Sequence, residues 1–178
     1  TKAFAHDIEV ANSDGVTIYY KWANDAKTEL AVTFRGQNSY SYSDEYTGDV
    51  VIPESVVYNE IPYSVTSIGN NAFYYCSGLT SVTIPNSVTT IGEFAFEDCS
   101  GLNSITIPNS VISIGSDAFA GTAMYNNQPE GLLYIDKFLI KYKGDMPANT
   151  DITIKKGTRG IAGAAFKDCK NLTSVTIP

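Results

Sequence analysis

Two consecutive stretches of the chain repeat each other and decide its fold. They read Ser64-Val-Thr-Ser-Ile-Gly-Asn-Asn-Ala-Phe-Tyr-Tyr-Cys-Ser-Gly-Leu-Thr-Ser-Val-Thr-Ile-Pro-Asn86 and Ser87-Val-Thr-Thr-Ile-Gly-Glu-Phe-Ala-Phe-Glu-Asp-Cys-Ser-Gly-Leu-Asn-Ser-Ile-Thr-Ile-Pro-Asn109. A third copy opens at Ser110, and a last one ends at Pro178. Self-similarity at a fixed period is the signature of a repeat solenoid, in which each unit covers the apolar face of its neighbour.

The phenylalanines give the period of the repeat. Phe73, Phe96 and Phe119 follow one another at intervals of 23 residues, whereas Phe119 and Phe166 are 47 residues apart. The longer gap equals two periods plus one residue. We therefore expect that one unit has been rebuilt, with its altered part between about residues 122 and 149.

Each clear unit carries the pattern Leu-x-x-Val/Ile-x-Ile, which at this period is typical of leucine-rich repeats. The alternating end of the pattern predicts a short strand with its apolar side chains inward, stopped by Pro85 or Pro108. The segment Ile68–Cys76 has the spacing of one helical or 3-10 turn on the opposite side. The sequence thus predicts a mainly β, right-handed leucine-rich-repeat stack with short helical or 3-10 turns.

Stacking of such units predicts columns of identical buried side chains. The expected core columns are Phe73, Phe96, Phe119 and Phe166, and Cys76, Cys99 and Cys169, with Thr122 filling the missing cysteine rung. Small buried thiols are favoured over a zinc site, because zinc needs four ligands and the only histidine is His6, outside the repeats. The odd number of cysteines also argues against a disulfide framework.

The repeat is absent from residues 1–63, which we expect to form an N-terminal β cap on a solenoid spanning residues 64–178. Strands are predicted at Ile8–Val10, Val16–Trp22 and Leu30–Phe34, with a polar loop at Tyr40–Tyr46 and a hairpin over Ser55–Val65. In the rebuilt unit, Gly131–Tyr142 predicts a second hairpin, which projects from the stack. Because no polar capping sequence follows Ile177, we expect the natural chain to continue, or its end to pair with another copy.

Charge and hydropathy exclude two classes of partner. The net charge is −7, and the 12 Lys and Arg residues form no basic stripe that could follow a phosphate backbone. The cations cluster late in the chain, but acidic residues interrupt them, as on a mixed solvated surface. No stretch of about 18 apolar residues exists, so this segment is not expected to span a membrane.

Catalytic and cofactor motifs are not found. One histidine cannot supply a Ser-His-Asp or Cys-His arrangement from repeat residues. The phosphate-loop motif and the calcium-loop spacing are also absent. The acids with any claim to a glycosidase pair are Asp44, Glu45, Asp49, Glu97 and Asp98, and nothing in the pattern makes them converge. We therefore predict no enzymatic activity, no cofactor and no metal.

A solenoid binds partners through its strand face, so the outward positions of the repeat strands form the candidate binding face. These are Ser81, Thr83, Ser104, Thr106, Asp151, Thr153, Ser174 and Thr176. The same residues are also ordinary exposed strand residues, and none is of a type common in binding hot spots. Aromatic residues elsewhere are rival contact points: Tyr19, Tyr20, Trp22, Tyr40, Tyr42, Tyr46, Tyr74, Tyr75, Tyr134 and Tyr142.

The units with Ile-Gly-x-x-Ala-Phe, Cys-Ser-Gly-Leu and Val-Thr-Ile-Pro closely resemble the BspA-like leucine-rich repeats of bacterial surface proteins, over about residues 50–178. The resemblance implies a secreted or lipid-anchored protein at the bacterial cell surface, with adhesion to host matrix or other cell-surface proteins in some members. Two departures are Ser87 and Ser110, which stand where better-known leucine-rich repeats have Asn. A third is Lys155, which replaces the strand-ending Pro.

Three functions remain open at this stage. The first is a non-enzymatic adhesion module that binds a protein partner. The second is a carbohydrate-binding module in which Trp22 and tyrosines stack on sugars. The third is a passive stalk that displays another domain.

Overall fold

The computed structural model describes residues 5–36 and 44–178. Within these ranges the regular secondary structure is β, apart from one helix of four residues, and turns connect the strands. The elements in chain order are β1 Ile8–Ala11, β2 Thr17–Trp22, β3 Glu29–Thr33, β4 Gly48–Val51, β5 Ser55–Tyr58, β6 Ile61–Ile68, β7 Leu79–Thr83, β8 Thr90–Ile91, β9 Ser113–Ile114, α1 Ala123–Asn126, β10 Gly131–Ile135, β11 Phe138–Lys143, β12 Thr150–Thr153, β13 Gly160–Ile161 and β14 Leu172–Thr176. The mainly β repeat fold predicted from the sequence is confirmed.

The N-terminal strands build one end of the largest sheet. β1, β2 and β3 are antiparallel neighbours, and β3 then pairs in parallel with β6. β5 and β6 form a hairpin whose turn residues, Asn59 and Glu60, have φ of 50° and 66°. Positive φ at both positions matches the right-handed twist of the flanking strands. β6 continues from this hairpin into the first repeat, where β8 and β9 extend the sheet coil by coil.

The segments between repeat strands are turns and not helical, so the predicted helical or 3-10 turn is wrong. Asn71 and Tyr75 have positive φ, as do Phe94 and Asp98 one coil later. Residues in this conformation cannot continue a right-handed helix. Alternate amides instead bond to the next coil: the N–H of Phe73 donates to the Ala95 carbonyl at 2.8 Å.

A column of aromatic rings runs through the core. Phe73 stacks on Phe96 with ring centroids 4.9 Å apart, and Phe96 on Phe119 at 5.4 Å, with planes within 7° and 2° of parallel. All three are fully buried. Tyr46 caps the column, 4.6 Å from Phe73. The sequence reading placed Tyr46 in a polar loop, but it is buried, because its hydroxyl donates to the Thr33 carbonyl and accepts from the Tyr19 amide.

The last coil departs from the predicted core. Phe166 and Cys169 were expected to be buried like their equivalents, but both are partly exposed. The physical reason is that β14 pairs with β12 alone, so this coil is covered on one side only within the described residues. Phe166 packs into a smaller second cluster with Leu139 and Ile152.

The hairpin of the rebuilt unit packs within the stack and does not project from it. β10 and β11 are antiparallel, and Phe138, Leu139 and Ile140 of β11 are all buried. β11 also pairs in parallel with β13 of the last coil. The N–H of Tyr142 donates to the Ala165 carbonyl, which repeats the bond made by Phe73. Tyr142 therefore occupies the phenylalanine rung of the rebuilt coil.

Candidate binding surface on the strand face

The strand face consists of the outward positions of β7, segment 102–107, β12 and β14. Thr83, Thr106, Thr153 and Thr176 are all exposed there. The sequence predicts one continuous ladder of four repeat strands. The structure instead has two separate pairs, β4 with β7 and β12 with β14, and segment 102–107 is not a strand.

A carboxylate holds each strand pair in register. Asp49 on β4 accepts hydrogen bonds from Thr80 Oγ1 and Ser81 Oγ, each at 2.7 Å. Asp151 on β12 accepts from Thr173 Oγ1 and Ser174 Oγ of β14 in the same way. Hydrogen bonds from Ser81 and Thr80 lower the pKa of Asp49, and those from Ser174 and Thr173 lower that of Asp151. Three of the predicted face residues, Ser81, Asp151 and Ser174, thus serve to hold strands together.

Segment 102–107 lacks such a carboxylate contact with the preceding coil. The position equivalent to Asp49 on the preceding coil is Ser81, which has no carboxylate to offer. Gly101 still lies against the preceding coil, since a Cβ there would meet the Ser77 carbonyl oxygen at 2.6 Å. Beyond it, no backbone hydrogen bond joins residues 103–106 to any described residue. The far end is tied down where the N–H of Ile107 donates to Asp136 Oδ2 at 2.7 Å.

Two adjoining grooves open where the ladder is interrupted. The first, of about 340 Å³, lies between the end of β7 with Ile84 and residues 104–106 with Pro108. Its lining contains no charged side chain. The second, of about 400 Å³, shares Ile84, Thr106 and Pro108 with the first and continues to the turn between β10 and β11. Together they form one cleft along the strand face, which we call the ladder cleft.

Charged residues stand at one end of the ladder cleft only. Asp136, Lys137 and Arg159 line the second groove. The Asp136 carboxylate is engaged by the Ile107 amide, and Arg159 donates to Asn109 and to the Val111 carbonyl. Lys137 is exposed and forms no ion pair with a described residue. This end of the cleft is therefore positive, in a chain whose net charge is −7.

In the structure, several of the aromatic residues predicted as rival contact points are buried or half-buried. Tyr19 and Tyr20 are buried together with Tyr46, while Tyr40 and Tyr42 lie outside the described residues. Tyr134 and Tyr142 are half-buried, and the Tyr134 hydroxyl accepts from the Lys155 amide. Tyr74 and Tyr75 contact each other edge to face, and Tyr75 is 47% exposed. Trp22 stays partly exposed, with its ring edge to face against Tyr63 at 5.0 Å.

The cysteines are free thiols. Cys76 and Cys99 are fully buried, and burial raises the pKa of Cys76 to about 12 and that of Cys99 higher still. Thr122 fills the next rung, where its hydroxyl donates to the Phe119 carbonyl at 2.8 Å and caps α1 at Tyr125. Among residues 5–36 and 44–178, no group of His, Cys, Asp and Glu could hold a metal ion.

The acids considered for catalysis have structural partners. Asp44 accepts from Ser77 Oγ and the Gly78 amide, which lower its pKa. Glu45 accepts from the Arg35 amide, and burial raises its pKa to about 7. Glu97 and Asp98 lie on the turn side of the coil, away from the strand face. Two of the late cations are engaged as well: Lys141 pairs with Asp117 at 2.6 Å, and Lys143 donates to three backbone carbonyls at the end of α1.

Comparison with protein families gives a match over the whole repeat region. A model described as BspA type leucine rich repeat region (6 copies) matches residues 38–143 and 142–178. The chain belongs to the BspA-type leucine-rich-repeat family. The match begins before Ser64, so it includes part of the segment assigned to the cap. No curated protein matches the chain.

Solved structures of leucine-rich-repeat proteins resemble the chain. A leucine-rich repeat protein from Bacteroides ovatus is 29% identical with a TM-score of 0.51, over 90% of this chain and 40% of that one. A leucine rich cell surface protein from Faecalibacterium prausnitzii is 25% identical with a TM-score of 0.50, over 97% of this chain and 44% of that one. A T. pallidum leucine rich repeat protein, 22% identical with a TM-score of 0.54 over 93% and 71%, supports the fold alone. The chain spans less than half the length of the first two proteins.

Sequence reasoning missed the interruption of the ladder, although one signal was present. The Leu-x-x-Ile-x-Ile pattern of residues 102–107 is as regular as that of β7. The distinguishing residues lie on the adjacent coils. Asp49 and Asp151 are each followed, one coil later, by a Thr-Ser pair, whereas Ser81 is followed by Asn103-Ser104.

The described residues contain no helix long and apolar enough to cross a membrane.

Proposed function

We propose that this chain is a non-enzymatic binding module at the bacterial cell surface, and that it engages a protein partner through the strand face. Leucine-rich repeat proteins are typically protein-interaction modules, and a relative 25% identical is named as a cell surface protein. The observation that carries the proposal is the ladder cleft. It exposes Thr83, Ser104 and Thr106 beside unpaired backbone, whereas Ser81, Asp151 and Ser174 are held by internal bonds.

Partner binding is tested by surface plasmon resonance with the immobilised chain. Host matrix proteins form the panel, and mucin glycans are the contrast. Saturable binding of one matrix protein, weakened by Thr83→Glu and by Thr106→Glu, is the expected result. Ser100→Glu is the matched control, because Ser100 is also exposed but lies on the turn side of the coil that contains Thr106. Weak affinity is sufficient, since repeated units act multivalently.

Two further outcomes separate the alternatives. Binding to glycans alone, lost in Trp22→Ala, would support a carbohydrate-binding module, for which the partly exposed Trp22 beside Tyr63 is the favourable observation. Trp22→Phe keeps an aromatic face and is the control. Equal binding by the parent chain, Thr83→Glu and Thr106→Glu would contradict the strand face as the contact surface. Absence of binding to any member of the panel would support the passive stalk.

A further inference from the structure

We propose that the ladder cleft is a slot for one extended peptide segment of the protein partner, which adds as a β-strand between β7 and segment 102–107 and ends in an acidic side chain at Lys137. This inference rests on the proposed function, because it assigns the form of the partner that the strand face recognises. Its basis is the unpaired backbone on both walls of the cleft.

The first wall is the free edge of β7. The N–H of Ile52 donates to the Thr83 carbonyl at 3.1 Å, so the backbone groups of Thr83 point towards β4. Backbone groups in a strand alternate in direction, which turns those of Val82 and Ile84 away from β4 and into the cleft. Neither residue forms a backbone hydrogen bond across the cleft with a described residue.

The second wall is segment 102–107. Ser104 and Thr106 are the repeat equivalents of Ser81 and Thr83, whose backbone groups face the preceding coil. In the same register, the N–H and C=O groups of Ser104 and Thr106 face β7. They also lack partners among the described residues. Each wall therefore presents donors and acceptors at every second residue, a spacing that an extended polypeptide backbone matches on both of its edges.

The side chains that line the cleft indicate which side chains such a peptide would have. Val82 and Ile84 are buried beneath the first groove, and Ile105 is partly buried beside them. Side chains of the peptide that point inward are therefore apolar, and those that point outward lie beside Thr83 and Thr106. The absence of charge from the lining of the first groove favours an uncharged central segment. Unpaired charges would lose hydration there without compensation.

Charge complementarity indicates which end of a peptide parallel to β7 is acidic. β7 runs towards Ile84, beside which the cleft opens onto Lys137 and Arg159. A peptide parallel to β7 brings its carboxyl-terminal residue to this positive end. An acidic side chain there meets the exposed Lys137 ammonium, which has no other ion-pair partner among the described residues.

The test uses a peptide that copies Leu79–Ile84 followed by glutamate, acetylated and amidated, with the intact chain. Amide hydrogen exchange of Val82, Ile84, Ser104 and Thr106 is followed by NMR with and without peptide. We expect fast exchange in the free chain and protection of these four amides on binding. A peptide with N-methyl groups at alternate residues is the control for backbone pairing, and one with lysine in place of glutamate is the control for the charge contact with Lys137.

Two variants at one position separate backbone recognition from hydroxyl recognition. Thr106→Pro removes a slot N–H that has no partner in the free chain, and an extended segment tolerates proline's fixed φ. Thr106→Val removes only the hydroxyl. We expect Thr106→Pro to weaken the peptide by about tenfold and Thr106→Val to leave its affinity within about twofold.

Three results would overturn the slot. Slow exchange of the four amides in the free chain would mean that segment 102–107 is already paired with β7. Protection confined to β14, or no protection at millimolar peptide, would place strand addition elsewhere or nowhere. If a matrix protein binds and is weakened by Thr83→Glu while the peptide fails, the proposed function stands and only the slot is wrong.

Discussion

The Asp49 carboxylate accepts a hydrogen bond from the Ser81 hydroxyl at 2.7 Å, across the parallel pair β4 and β7. The same contact joins Asp151 to Ser174 across β12 and β14. Both strand pairs that form on the strand face have this contact, and segment 102–107, which lacks it, remains unpaired. A side chain on one coil therefore accompanies strand pairing with the next, and this relationship defines where the ladder cleft opens.

The hydrogen bond between Asp49 and Ser81 predicts a pH-dependent contribution to stability. Hydrogen bonds from Ser81 and Thr80 lower the pKa of Asp49, so its contribution is present above the ordinary carboxyl pKa and is lost as pH falls through the lowered value. We expect Asp49→Asn to lower the melting temperature slightly at pH 7, and the difference from the parent chain to shrink in acid. Thermal unfolding monitored by circular dichroism measures both. Asp14→Asn, a change at an exposed turn, is the control, and a difference independent of pH would contradict this account.

The stacked phenylalanine column predicts a graded loss of stability. Phe96 is fully buried between Phe73 and Phe119, so Phe96→Ala should cost about 3–5 kcal/mol in the free energy of unfolding. Phe166→Ala should cost clearly less, because Phe166 is partly exposed. Urea denaturation measures both values. A loss below about 1 kcal/mol for Phe96→Ala, or equal losses for the two variants, would refute the column as described.

The thiol burial predicts a selective alkylation pattern. Burial raises the pKa of Cys76 and Cys99, and neither side chain is accessible, so both should resist iodoacetamide in the native chain. Cys169 is partly exposed and should react. Mass spectrometry should find one alkylated cysteine in the folded protein, and three after unfolding without reductant. Only one reactive thiol in the unfolded chain would indicate a disulfide and contradict the free thiols.

The hydrogen bonds of Thr122, which stands in the cysteine column, predict that its hydroxyl contributes to stability. Its buried hydroxyl donates to the Phe119 carbonyl and accepts from the Tyr125 amide at 3.2 Å. Thr122→Val keeps the shape but leaves the Tyr125 amide without its acceptor, whereas the Phe119 carbonyl still accepts from the Thr122 amide at 3.3 Å. The variant should cost about 1–3 kcal/mol. Thr122→Ser retains the hydroxyl and should restore more than half of that loss. If valine and serine destabilise equally in urea denaturation, the hydroxyl has no role and packing alone decides the rung.

The repeat could be predicted from the sequence because the same side chains recur at equal spacing. Phe73, Phe96 and Phe119 cannot each be buried by their own short unit, so stacking is the remaining solution, and the structure has it. The prediction of helical turns failed because apolar spacing alone does not reveal a left-handed residue. Asn71 and Tyr75 adopt positive φ, since their coil bonds alternately to itself and to its neighbour.

The candidate site could be predicted only in part. Thr83 and Thr106 are exposed on the strand face, as the alternation of the strand pattern indicates. The pattern did not reveal that Ser81 is already engaged by Asp49, or that Tyr46 is buried against Phe73. Both contacts join residues more than 25 positions apart, and local periodicity contains no information on such pairs.

By itself, the sequence determined the family, the mainly β repeat architecture and the stacking of Phe73, Phe96 and Phe119, because short units with a recurring apolar pattern are buried only by stacking. Only the tertiary structure decided that the rebuilt hairpin packs inside the stack and that the ladder opens at segment 102–107. Residues 102–107 have the same apolar pattern as β7. On the strand face, backbone pairing coincides with an aspartate on the adjacent coil, and that neighbour is in place only once the chain has folded.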